Sequence, residues 1–255
     1  MTNSPLTGRL ALVTGGGRGI GASIATSLAA AGARVLVCDR FDEGLPPTRA
    51  VVESGEISGV RADVGSLADL GRLVTMTDSL GGCDILVNNA AHVLLQSVET
   101  TSPEDFDHVM GVNVRAYWYL AVQLADQLAA SGFGAVVNVG STHPRQTKHA
   151  SFPYNVSKGG VAALGIALAV DLGSRGIRVN TVSPGICDTP PTRAWIERQP
   201  DPEQTRRAVL ADHPLGRLPR PQEVAAAVVF LASPAAAGIH GADLVVDAGR
   251  QTMRH

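Results

Sequence analysis

Residues 9–21 read Arg9-Leu10-Ala11-Leu12-Val13-Thr14-Gly15-Gly16-Gly17-Arg18-Gly19-Ile20-Gly21, and this stretch decides the fold. Its first six residues form an apolar run of strand length. The glycines follow without a spacer, and Gly19–Ala31 carries a helical face through Ile20, Ile24 and Leu28. Gly32 ends that helix, and Ala33–Cys38 (ARVLVC) is a second strand. Glycines in such a turn let the backbone bend sharply and let a pyrophosphate approach where a Cβ would obstruct it. The N-terminus of the helix then offers free N–H groups and a positive dipole end to the phosphates. Gly15, Arg18, Gly19, Ile20 and Gly21 are therefore candidate dinucleotide contacts. No Lys-Ser or Lys-Thr follows the glycines, which excludes a P-loop.

Working outward, short apolar runs keep alternating with helical patterns. Strands are predicted at Val60–Asp63, Asp84–Val87, Gly134–Val139, Ile177–Val182 and Leu244–Val246. Helices are predicted at Leu67–Leu80, along a long stretch from Phe106 to Leu128, at Tyr154–Leu172 and at Gln222–Leu231. Ser102-Pro103 supplies a cap and a first-turn proline for the long one. Apolar rather than alternating strands point to an α/β fold of the Rossmann type: one doubly wound parallel sheet with helices on both faces. The 255 residues fit a single domain. Between Gly185 and Pro221 lie six prolines and many charges, read as a mobile substrate excursion rather than a second domain.

Composition narrows the function classes. A net charge of −2 without any basic run gives no case for nucleic acid. Three scattered cysteines without a CxxC fit a reducing cytoplasm. Met1–Gly8 has no leader pattern, and no run of about 18 apolar residues suggests a membrane span. No His, Cys or carboxylate spacing predicts a metal.

Asp39 ends the second strand, 24 residues beyond Gly15. A carboxylate there can accept from both adenosine ribose hydroxyls and would repel a 2′-phosphate, which favours NAD over NADP. Arg18 and Arg40 pull the other way. Further on, Tyr154-Asn155-Val156-Ser157-Lys158 puts Tyr154 and Lys158 on one helix face. A free tyrosine titrates near pH ~10, and a neighbouring ammonium would lower that. The pair makes a tunable acid/base. Ser141 follows the fifth strand, thirteen residues before Tyr154, at the strand end where ligands of an open parallel sheet gather.

Together these motifs resemble the short-chain dehydrogenase/reductase family over essentially the full length. The matching stretches are Thr14–Gly21, Asp63-Val64, Asn88-Asn89-Ala90-Ala91, Asn113, Ser141, Tyr154 with Lys158, and Ser183-Pro184-Gly185. The resemblance implies that Tyr154 is the acid/base and that Ser141 polarises the reacting oxygen. It implies that Lys158 lowers the tyrosine pKa and binds the nicotinamide ribose, while Asn113 helps hold a water linking Lys158 to solvent. Asp63 and Val64 would contact adenine, Asn89, Ala90 and Ala91 the adenosine side, and Ile186 and Thr189, after Pro184-Gly185, the carboxamide. A homotetramer or homodimer is implied as well, with contacts through the long helices and the C-terminal segment. Two positions depart from the family pattern: Ala91 and Ala248 stand where glycine is common. A small backbone adjustment is expected at Ala91.

His143, His149 and Trp195 are candidate substrate contacts, and Arg145 and Lys148 could attract an anion. Gly140-Ser141-Thr142-His143 lacks the glycine spacing of a hydrolase elbow. The expected activity is interconversion of a secondary alcohol and a ketone by hydride transfer with NAD. An NADP-dependent carbonyl or 3-oxoacyl reductase, a dinucleotide sensor and an epimerase or dehydratase are the alternatives.

Overall fold

The computed structural model describes residues 4–46, 50–52 and 55–252; Met1–Asn3, part of the stretch read for a leader, lie outside them. The strands in chain order are β1 (Leu10–Thr14), β2 (Arg34–Asp39), β3 (Ala50–Val52), β4 (Gly55–Arg61), β5 (Ile85–Asn88), β6 (Ala135–Val139), β7 (Arg178–Pro184) and β8 (Asp243–Val246). Among the described residues they form one sheet in the order β3-β4-β2-β1-β5-β6-β7-β8. Seven strands are parallel, and β3 adds antiparallel to the β4 edge.

The helices are α1 (Gly19–Ala30), α2 (Leu67–Ser79), α3 (Pro103–Met110), α4 (Ala116–Gln123), α5 (Ala125–Ala130), α6 (Phe152–Gly173), α7 (Pro190–Glu197), α8 (Pro202–Ala211) and α9 (Pro221–Ala232). Side chains alternate across each strand, so both sheet faces must be apolar. Val13, Val35 and Val37 pack with Ile24 and Leu28 of α1 and Val224 and Val228 of α9. Leu12, Leu36 and Leu86 pack on the other face with Leu73 of α2, Leu120 of α4 and Leu168 of α6. The chain turns from the β1–β2–β4 half to the β5–β8 half between β1 and β5, and the crevice of an open α/β sheet lies at such a switch point.

Four elements differ from the sequence reading. The third parallel strand is Gly55–Arg61, not Val60–Asp63, and β3 before it was not foreseen. Glycines, Glu56 and Ser58 interrupt this half-buried strand, so only its C-terminal end was legible. The long helix from Phe106 is broken: a π-turn at Gly111–Arg115 joins α3 to α4, and Leu124 separates α4 from α5. The 185–221 excursion contains α7 and α8, capped by the side chains of Thr189 and Asp201. Finally, α6 is long and apolar enough to cross a bilayer, contrary to expectation. It lies on the sheet instead, with Val161, Leu168 and Leu172 in the core and Lys158 buried beneath it.

Candidate active site

The switch point is stitched by one threonine and one asparagine. Thr14 Oγ1 accepts from the backbone N–H groups of Asn89 (3.0 Å) and Ala90 (3.1 Å). Asn89 Nδ2 donates back to the carbonyls of Thr14 and Gly15, both at 2.9 Å. This closes the end of β5 onto the glycine turn. A Cβ at Gly21 would lie 2.1 Å from the Gly15 carbonyl oxygen, so no other residue fits that first turn of α1. Gly15 itself has φ +64° and faces the Ala90 backbone.

Above the turn opens a cavity of about 610 Å³. Thirteen of the predicted cofactor contacts line it: Gly15, Arg18, Gly19, Ile20, Gly21, Asp39, Arg40, Asp63, Val64, Asn89, Ala90, Ala91 and Thr189. Pro184, Gly185 and Ile186 do not, nor do Tyr154 and Lys158. The donor set fits a dinucleotide: bare glycine backbone and the N-terminus of α1 for phosphates, a carboxylate for a ribose. That carboxylate is held in place, with Asp39 Oδ2 accepting from Gly17 N–H (3.2 Å) and Oδ1 from Phe41 N–H (3.4 Å). Arg18 and Arg40 both stack on Phe41, with guanidinium carbons 5.4 and 4.7 Å from the ring centre. Asp63 caps its own turn through Gly65 N–H (2.8 Å). Ala91 does not adopt positive φ. The strained departure is Ala248, at φ +54°, while Ala91 needs no adjustment of that kind.

The proton-handling groups gather beyond the cavity, at the ends of β6 and β7. Lys158 is fully buried, and its Nζ donates to the Val139 carbonyl at 2.7 Å. Nζ also lies 5.5 Å from the Tyr117 ring centre and 5.9 Å from that of Tyr154. Burial pulls the lysine pKa down to about 7. Burial likewise pushes Tyr154 up to about 12, against the opposing hydrogen bond from Ser141. In the protein alone, desolvation disfavours charge on both groups.

Asn113 sits in the π-turn with no solvent exposure. Its Oδ1 accepts from His92 N–H (2.7 Å), and its Nδ2 donates to the His92 carbonyl (3.1 Å) and Ser157 Oγ (2.8 Å). Ser157 Oγ in turn donates to the Tyr154 carbonyl at 2.7 Å. Both amide hydrogens are thus engaged in fixing α6 against the segment after β5. The sequence reading missed Ser157 and Tyr117, whose hydroxyl donates to the Ala90 carbonyl at 3.1 Å. Tyr117 falls four residues after Asn113, one helical step along the same face. It also missed the cavity residues Cys38, Phe41 and His92, each beside a residue it had marked.

On the substrate side, the His143 ring meets the Tyr154 ring edge-on, with centroids 5.4 Å apart and planes at 87°. His143 N–H donates to Ser141 Oγ at 3.2 Å. Burial, helped by the positive charges of Lys148 and Arg250, holds the imidazole below its ordinary pKa. His149 is exposed at the loop tip. Trp195 on α7 is partly exposed and takes Lys148 Nζ at 5.2 Å from its ring centre, tying the excursion to the loop after β6. Arg145 is paired with Asp243 at 2.8 Å.

Comparison with known proteins agrees with this geometry. The family profile described as Enoyl-(Acyl carrier protein) reductase matches residues 15–251. D-threitol dehydrogenase of Mycolicibacterium smegmatis is 36% identical, over 96% of this chain and 93% of its own. Galactitol 2-dehydrogenase (L-tagatose-forming) of Cereibacter sphaeroides is 37% identical, over 96% and 95%. A Sinorhizobium meliloti crystal structure described as a short-chain alcohol dehydrogenase superposes with a TM-score of 0.90 at 32% identity, covering 99% of this chain and all of that one. The chain belongs to the short-chain dehydrogenase/reductase family of oxidoreductases, whose members bind NAD(P).

Proposed function

We propose that this protein interconverts a secondary alcohol and a ketone with NAD(H), using Tyr154 as acid/base. The observation that carries the reading is the meeting, at adjacent strand ends, of the Tyr154–Ser141–Lys158 group with a dinucleotide cradle. Bound there, the nicotinamide cofactor supplies the acceptor or donor of hydride and, when oxidised, a positive charge. Ser141 Oγ orients the reacting oxygen beside the Tyr154 hydroxyl. In oxidation Tyr154 takes the alcohol proton; in reduction it returns one to the developing alkoxide. Lys158 holds a proton that its burial makes easy to release near neutrality, and it shares the Val139 carbonyl with Tyr117 (2.7 and 3.5 Å). The 185–221 excursion, through Trp195, closes over the substrate.

Asp39 supports NAD, being anchored by two backbone N–H groups on the cavity wall. Arg18 and Arg40 favour a second reading with NADP, since both guanidiniums flank the same wall. A dinucleotide sensor would have no need of a proton donor. The free thiols of Cys38, Cys83 and Cys187 suit a reducing cytoplasm. The test is a panel of alcohols and ketones followed at the NADH absorbance, with Tyr154→Phe beside the wild type. The variant should bind NADH normally and lose at least about 100-fold in turnover. Near-normal turnover would sink the mechanism.

A further inference from the structure

Among the described residues that wall the cavity above the glycine turn, His92 is the one histidine. Its backbone is held from both sides by Asn113, whose Oδ1 accepts from His92 N–H and whose Nδ2 donates to the His92 carbonyl. The position of the ring is therefore set by bonds that a change of side chain leaves in place. The segment that carries it lies against the glycine turn, where a Cβ at Gly15 would come within 2.7 Å of Ala90 Cα. His92 thus starts two residues from the turn whose bare backbone suits phosphates. On its outer side the ring meets His108 of α3 edge-on, with centroids 4.7 Å apart and planes at 72°.

The charges that reach this ring are His108 and Asp105 from α3 and Arg40 from the segment after β2. Arg40 and His92 line the same cavity, so they share the space a ligand would enter. The carboxylates of the cavity wall are occupied elsewhere: Asp39 accepts from Gly17 and Phe41 N–H, and Asp63 from Gly65 N–H. From the π-turn, Arg115 is turned away to the Gly65 carbonyl at 2.7 Å. Burial first, then His108 and Arg40, hold the imidazole below its ordinary pKa against the pull of Asp105. The protein alone therefore keeps His92 uncharged near neutrality. A diphosphate between Arg40 and His92 reverses that balance, because it brings negative charge to a ring that has only one carboxylate acting on it. A protonated imidazole donates from both nitrogens, and its bond to a phosphate oxygen is charge-assisted.

We infer that His92 is a cofactor-binding residue that takes up a proton as the dinucleotide enters and donates it in a hydrogen bond to the diphosphate. The inference rests on the dinucleotide cradle of the reading above. The test is titration calorimetry at pH 7 in two buffers of different ionisation enthalpy, which counts the protons exchanged. The probes are ADP-ribose, which carries the diphosphate without the nicotinamide, and adenosine, which carries neither. Wild type should take up about 0.5 proton with ADP-ribose and none with adenosine, and its Kd for ADP-ribose should rise about tenfold from pH 6 to pH 8. His92→Gln and His92→Asn can hydrogen-bond but cannot gain charge, so both should lose the uptake and flatten the pH profile. Lys158 titrates in the same range, but it is common to all three proteins and cancels in the difference. Binding of ADP-ribose by wild type without proton uptake, equal uptake with adenosine, or uptake undiminished in the variants would overturn the inference and leave the alcohol/ketone reading intact. Failure of wild type to bind either ADP-ribose or NADH at any pH would overturn both.

Discussion

Replacing Lys158 by methionine should make the protein's stability less dependent on pH, and the size of the change can be worked out. Lys158 Nζ is buried and donates to the Val139 carbonyl, and burial brings its pKa from 10.5 down to about 7. For a base with a depressed folded-state pKa, the unfolded chain binds more protons between the two values. Stability therefore rises with pH through that window, with a limiting slope of about 1.4 kcal/mol per pH unit. Integrated from pH 6 to pH 8.5 with the folded pKa near 7, the gain is about 2 kcal/mol. Methionine is similar in length and carries no charge, so Lys158→Met should lack this gain. The assay is urea unfolding without cofactor at fixed protomer concentration, in half-unit pH steps. The informative quantity is wild-type minus variant stability, since groups common to both cancel. Cys38 and Cys83 illustrate why: their pKa values rise to about 12, which lowers stability once the unfolded thiols ionise at higher pH. A difference curve rising by about 2 kcal/mol supports the reasoning. A flat curve would show that the folded protein keeps Lys158 charged as easily as water does, and the account of a protein that disfavours charge at its own acid/base pair would be wrong.

Three further outcomes are expected. Asp39→Ser removes the carboxylate from the cavity wall while Arg18 and Arg40 remain, so kcat/KM with NADP should rise about tenfold or more relative to NAD; a wild type already preferring NADP would refute the cofactor assignment. Ala248 holds φ +54°, so Ala248→Gly should stabilise the fold by roughly 1 kcal/mol and raise Tm by about 2–4 °C in a calorimetric scan; an unchanged or lower Tm would mean the turn carries no strain. Trp118 and Val122 on α4 and Ile166 and Val170 on α6 expose large apolar surface, which fits the expected dimer or tetramer; a monomeric mass by light scattering would contradict it.

What could be read from the sequence follows the physics of each element. The core strands were legible because both of their faces are buried, which leaves a nearly continuous apolar run in β1 and apolar residues flanking a few buried polar ones in β6 and β7. β4 was half lost because its side chains are only half buried and glycines replace two of them. Among the candidate site residues, Tyr154, Lys158 and Asp39 stand out in the sequence because the chemistry proposed for them depends on residue type at fixed spacing. Asn113 was located, but its partners were not, since a π-turn breaks the 3.6-residue periodicity on which the long helix was traced. Its bond to Ser157 shows what that break achieves. An amide on one helix reaches the first turns of another and fixes the stretch that carries Tyr154 and Lys158. The same limit explains the tyrosine. Spacing puts an ammonium near a phenol, but only the packed structure shows how much water both have lost. That loss decides the direction of both pKa shifts. In the protein alone, burial therefore works against charge on both groups.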